Sequence, residues 1–208
     1  MKNQLLIAAV VLLSFAAFAD ETNVVSAPEA AKYTKAIEGR TADILKTLAL
    51  SDPGQAAKVH DLIIAQYRAL NAWHGANDAR LKAARRDTNA VAQIRASLQT
   101  LHDDFLARLA ENLTPAQIEQ VKDKMTYGKV QFTFAGYQAQ YPDLSAEQRR
   151  KILEMLKQAR EEAMDGGSAA EKTAVFQRYK GKINNYLSRQ GLHPAKPAAA
   201  AVTNSAAQ

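Results

Sequence analysis

The chain has no cysteine. That excludes disulfides, thiolate metal sites, a cysteine nucleophile and lipid attachment at a cysteine behind a leader, so the fold must rest on its core. Histidine is scarce. His60, His74, His102 and His193 show no H-E-x-x-H or comparable ligand spacing, and neither a metal site nor a cofactor is implied. A glycine-rich phosphate loop is missing too, because Gly166-Gly167 follows a helical pattern instead of a strand. No segment alternates as a strand would, which points to an all-α class.

What is present begins with a leader. "MKNQLLIAAVVLLSFAAFADE" has Lys2, an uncharged apolar run from Leu5, and Ala17-Phe18-Ala19 before Asp20, the pattern of a secretory signal peptide over residues 1–19. The run is too short and too closely followed by charge for a membrane span, so an exported protein of the bacterial periplasm or exterior is expected, with no span after cleavage. Of 27 lysines and arginines only Lys2 is lost with the leader, leaving 26 against 21 acids, a net +5. That mild excess reads as solubility, not as nucleic-acid binding. From His193 onward two prolines and runs of alanine carry no apolar period, so 193–208 reads as a disordered tail and 20–192 as a single domain.

Helix signals recur with their caps. "SAPE" at Ser26 opens a helix ending near Leu50; Asp52 or Ser51 with Pro53 opens a long one through Val59, Ile63, Tyr67, Leu70 and Leu81. Val91, Ile94, Leu98, Leu101 and Phe105 alternate spacings of three and four, which predicts a seam packed on other helices. "TPAQ" at Thr114, "SAEQ" at Ser145 and "SAAE" at Ser168 start three more helices, with Gly128 and Gly166-Gly167 as stops. The segment 129–143, rich in Phe and Tyr, reads as an irregular connection made of a loop and a short helix. The expectation is a compact bundle of about six helices.

Two polar features stand out. The stripe of Leu62, Ile63, Leu70, Trp73 and Leu81 also contains Gln66, His74 and Asn77; these make either interhelical hydrogen bonds that fix packing, or a pocket wall pairing the flat face of Trp73 with directed polar groups. In "YKGKINNYL", Tyr179, Ile183, Tyr186 and Leu187 form a packing stripe while Gly181, Asn184 and Asn185 fall opposite, beside Lys180 and Lys182. That second patch is a solvated face, a close approach at Gly181, or a ligand contact. "HDD" at His102 to Asp104 and "REE" at Arg160 to Glu162 read as exposed charge.

"VKDKMTYG" at Val121, "AREEAMDGGS" at Ala159 and "YKGKINNYLSRQG" at Tyr179, after "VHDLIIAQYRALNAWH" at Val59, resemble an exported bacterial family classed as a domain of unknown function and described as sugar-binding. The resemblance spans nearly the whole mature domain and implies a ligand class without catalytic residues. A shorter similarity, Leu113, Thr114 and Gln117, is to periplasmic helical chaperones of the LTxxQ type.

Together these readings favour non-catalytic binding with carbohydrate as partner. Trp73 and Tyr127 are the expected stacking faces, and His74, Asn77, Asn184 and Asn185 the polar contacts. A chaperone is the first alternative. A polysaccharide-acting enzyme is the second, and it would need two carboxylates facing one cleft, for which Asp123 and Asp165 are available.

Overall fold

The structure, a computed structural model, describes residues 27–195. The signal peptide, its cleavage site, the Ser26 cap and the tail from residue 196 lie outside the described residues. Among the described residues seven helices follow one another: α1 (Ala27–Leu48), α2 (Pro53–Ala83), α3 (Thr88–Ala110), α4 (Pro115–Met125), α5 (Lys129–Gln140), α6 (Ala146–Met164) and α7 (Ala169–Arg189). No strand occurs among the described residues. None of these helices is long and apolar enough to cross a membrane.

Most helix starts are where the local chemistry puts them. Thr114 Oγ1 accepts from the Gln117 N–H at 3.3 Å while Gln117 Oε1 accepts from the Thr114 N–H at 3.0 Å, and Ser145 with Gln148 repeats the exchange at 3.2 and 2.8 Å. Each cap satisfies backbone donors that the first helical turn leaves unpaired, worth about 1 kcal/mol. Asp52, Asp87 and Ser168 cap α2, α3 and α7 in the same manner.

The first four helices pack as a closed cycle of neighbours, α1 on α2, α2 on α3, α3 on α4 and α4 on α1. Beyond them α6 lies between α5 and α7 and also touches α4. Two cores result. One holds Ile37, Ile44, Val59, Ile63, Leu109, Val121 and Met125 together with Met164 from α6; the other holds Tyr137, Ile152, Leu156, Phe176, Ile183 and Leu187 with Val130. The boundary between them is the elbow Tyr127-Gly128, where both residues take left-handed φ angles of 61° and 62°. Glycine adopts that conformation freely; tyrosine does so only under constraint.

The segment 129–143 differs from the sequence expectation. The short helix expected there is present as α5, but it takes up Lys129–Gln140 as a regular element in place of a loop, so that seven helices stand among the described residues where about six were expected. Its buried positions are Val130, Thr133, Tyr137 and the C-cap Tyr141, a three-four-four spacing obscured in the sequence by Phe132, which points out and is 81% exposed. The α3 seam is also less complete than its periodicity implies: Phe105 and Leu109 are buried, but Val91, Ile94, Leu98 and Leu101 are only half-buried. At the other end of the described chain, the Ala195 N–H donates to the Gln140 carbonyl at 2.7 Å.

Candidate functional site

The turn between α6 and α7, Asp165-Gly166-Gly167-Ser168, closes over two histidines. The His74 ring, on α2, meets the Asp165 carbonyl through Nε2 at 2.7 Å. His102, on α3, places Nδ1 2.9 Å from the Asp165 carboxylate and Nε2 3.6 Å from Glu161. The glycines permit this closure. A Cβ on Gly167 would stand 2.7 Å from His74 Cγ, and one on Gly166 would stand 3.0 Å from Lys172 Cγ. His102 is therefore buried, contrary to the exposed reading of "HDD", since the fold supplies a carboxylate 63 residues away.

Charge runs on from this turn. The hydrogen bond to Asp165 raises the His102 pKa to about 9, with Glu161 adding to it against burial. Burial opposes ionisation of Glu161, but hydrogen bonds from His102 and Lys122 outweigh it and take its pKa down to about 2. Arg160 is only 3% exposed and pairs with Glu119 and with Asp123, the latter at 2.6 Å. The exposed reading of "REE" thus fails for Arg160, because α4 presents two acids to its guanidinium. The buried Lys172 ammonium donates to the Met164 carbonyl at 3.0 Å, and burial lowers its pKa to about 8.

Beside the turn runs a cleft of about 350 Å³ bordered by Trp73, His74, Arg95, Gln99, Glu162 and Glu171. Trp73 is buried, its Nε1–H donates to Ser97 Oγ at 2.8 Å, and its ring meets that of His74 edge-on with centroids 5.1 Å apart. Trp73 and His74 thus do fix α2 against its neighbours while lining a cleft. Asn77 is turned to local use: Nδ2 donates to the Trp73 carbonyl at 2.9 Å and Oδ1 accepts from Arg80 at 2.7 Å.

A second cleft, of about 410 Å³, lies between α5 and α7. Phe132, Gly136, Tyr137, Gln140, Lys180 and Asn184 border it. Gly136 leaves space, as nothing stands within 4 Å of where its Cβ would be. The Tyr137 hydroxyl donates to Asn184 Oδ1 at 2.8 Å and holds the amide in place. Burial pushes the Tyr137 pKa up to about 12, so the phenol stays a donor. Gly181 is likewise open on the α7 surface, and none of the described residues comes within 4 Å of where its Cβ would be. Asn185 is exposed and borders neither cleft. Tyr127 is 45% exposed at the elbow, its ring 6.0 Å from the Arg40 guanidinium, on a third surface with Asp43 and Lys124.

The six residues singled out by sequence are thereby distributed over several surfaces. Trp73 and His74 share one cleft, Asn184 joins another, and Asn77, Tyr127 and Asn185 stand apart from both. Sequence reasoning missed Phe132 and Glu171, and weighed Asp165 only as a carboxylate for an enzyme, not as the partner of two histidines. The signal for Asp165 and Glu171 was the Gly166-Gly167 pair, which marks where a turn must pass close to another element.

Residues 34–200 match the family described as protein of unknown function, DUF3826, and the chain belongs to that family. None of the curated proteins matches it.

Proposed function

We propose that this member of the family is an exported bacterial protein, periplasmic or secreted, that binds carbohydrate without catalysis, and that the sugar is taken in the α5/α7 cleft. One observation carries the reading: Phe132, an aromatic ring that is 81% exposed, borders a cleft that also holds the polar groups of Thr133, Gln140, Lys180 and Asn184 and is left open at Gly136. Leaving such a ring in water forgoes about 1.5–3 kcal/mol of burial. A pyranose has apolar faces and hydroxyl edges, so it can cover the ring while the Asn184 and Gln140 amides and the Lys180 ammonium meet its oxygens. Asn184 has its Oδ1 occupied by Tyr137, which leaves its NH₂ group as the donor on offer.

The LTxxQ similarity finds a different use in this fold. Leu113 is buried, and Thr114 and Gln117 complete the capping box of α4.

The test is a panel of oligosaccharides and acidic polysaccharides titrated into the purified protein, with Phe132→Ala and Asn184→Ala, and with Tyr127→Ala as the exposed aromatic outside the cleft. Saturable binding lost in the first two and kept in the third is the expected result. Binding lost only with Tyr127→Ala would move the site to the elbow, and no binding across the panel would end the carbohydrate reading.

A further inference from the structure

His74, Asp78 and Glu171 bring one imidazole nitrogen and two carboxylates together at the junction of α2 and α7. His74 Nδ1 lies 2.9 Å from Asp78 Oδ1 and 3.6 Å from Glu171 Oε2. The three ligand atoms lie within 4.8 Å of one another. From these contacts we infer that this triad is a binding site for a divalent transition-metal ion, Zn²⁺ being the natural occupant.

The direction of the imidazole decides the matter. A backbone carbonyl can only accept, so the 2.7 Å contact between His74 Nε2 and the Asp165 carbonyl requires Nε2 to carry the proton. In the neutral ring Nδ1 then holds a lone pair, and it faces two carboxylates that are themselves lone-pair donors. A proton on Nδ1 or a bound cation relieves that convergence, and three ligand atoms gathered within 4.8 Å suit the cation. Fixing one imidazole nitrogen through a carbonyl while the other ligates is how proteins orient a metal-binding histidine. The ring is held at both nitrogens, by the Asp165 carbonyl and by Asp78, and it runs so close to Gly167 that a Cβ there would stand 2.7 Å from its Cγ.

The partners are held as well. Asp78 follows His74 by four residues on α2, so both project from one helical face. Glu171 is fixed by the Gly167 N–H to Oε2 at 2.8 Å and by the Ser168 hydroxyl to Oε1 at 3.2 Å. Ligand atoms about 2.1 Å from a tetrahedral ion stand about 3.4 Å from one another, and the spacings from Nδ1 straddle that value. One imidazole with two carboxylates suits Zn²⁺; Ca²⁺ and Mg²⁺ prefer all-oxygen shells. Three protein ligands leave a fourth position for water. The ion would clip the start of α7 to α2, on a face of the molecule separate from the α5/α7 cleft.

The experiment is isothermal titration of ZnCl₂ into the purified, tag-free protein, followed by Co²⁺ titration monitored through Trp73, the only tryptophan. Its ring centroid lies 5.1 Å from that of His74, close enough for bound Co²⁺ to quench its emission. One Zn²⁺ per chain is expected, with affinity reduced by about tenfold or more in Asp78→Asn and in Glu171→Gln. His60→Gln, at a histidine paired instead with Glu38 and Asp61, leaves binding unchanged. Both acid substitutions are at exposed side chains, so loss of folding does not confuse the result. No saturable binding up to millimolar Zn²⁺, or binding indifferent to both acid variants, would overturn the inference by showing that a proton alone occupies the site.

Discussion

Gly167→Ala sets a single methyl group against a ring held at both of its nitrogens. The added carbon would lie 2.7, 2.8 and 3.2 Å from His74 Cγ, Cδ2 and Cβ. These are the root of the side chain, so relief requires the α6–α7 turn to shift and strains the contact between His74 and the Asp165 carbonyl. Overpacking of this kind costs about 1–3 kcal/mol. For a chain of this length each kcal/mol lowers Tm by about 2–4 °C, giving an expected loss of about 2–12 °C by differential scanning calorimetry. Gly181→Ala is the matched control: its Cβ meets nothing within 4 Å in the interior of α7, so the same substitution there stabilises by about 0.5–1 kcal/mol. In a His74→Ala background most of the Gly167→Ala penalty disappears, because two of the three close atoms are gone. If Gly167→Ala is neutral or stabilising like Gly181→Ala, or if its cost persists without the imidazole, the turn is not held by the ring.

Other consequences follow from the charges beneath that turn. His102 is raised from 6.5 to about 9 in the fold, so its contribution is fully present below about pH 6.5 and lost as pH rises through 9; linkage puts this at up to about 3 kcal/mol. Urea denaturation at pH 6 and at pH 9.5 therefore shows a fall in stability that is shallower in His102→Gln, and equal slopes for the two proteins refute the assignment. Arg160→Ala leaves Glu119 and Asp123 facing a vacated guanidinium site and costs about 2–3 kcal/mol in urea, less than a fully dry pair because both carboxylates reach water; a cost under about 0.5 kcal/mol would show the network to be idle. Trp73→Phe removes the donor to Ser97 and lowers stability by about 1 kcal/mol, and an unchanged denaturation midpoint would mean that α2 and α3 do not depend on that bond.

The helix starts were legible because a cap is a local event. Thr114 with Gln117 and Ser145 with Gln148 lie three residues apart, and the hydrogen bonds they make are those the spacing predicts. The extent and regularity of helix α5 were not legible beyond a short helix, because its apolar content is spread around the cylinder. Phe132 faces water, Phe134 is half-buried, and only Val130, Thr133, Tyr137 and Tyr141 mark the inner face. Trp73 and His74 were visible as an aromatic and a polar group within an apolar stripe. The groups that complete their surroundings were not. Asp165 reaches His74 from 91 residues away and His102 from 63, and no pattern along a chain reports such a meeting. Arg160 likewise looked like surface charge until α4 placed acids against it. Amides on α7 could be assigned to one face, but which of them a phenol from another helix would hold was decided by packing.

The elbow at Tyr127-Gly128 also bears on how the chain reaches this fold. Apart from Met164, every buried member of the first core precedes the elbow and every member of the second follows it. Each core therefore collapses from one continuous stretch, with short closures and little chain entropy lost in bringing partners together, the condition under which helical proteins fold quickly. Met164 and Arg160 stitch the two halves: both belong to α6 and both bind that helix to groups upstream of the elbow, as Glu161 and Asp165 also do through Lys122, His102 and His74. Interactions formed last act on the unfolding barrier and leave the folding rate largely unchanged. If these contacts across the elbow form last, their loss speeds unfolding and leaves the folding rate unchanged, an outcome that unfolding kinetics of Arg160→Ala would show.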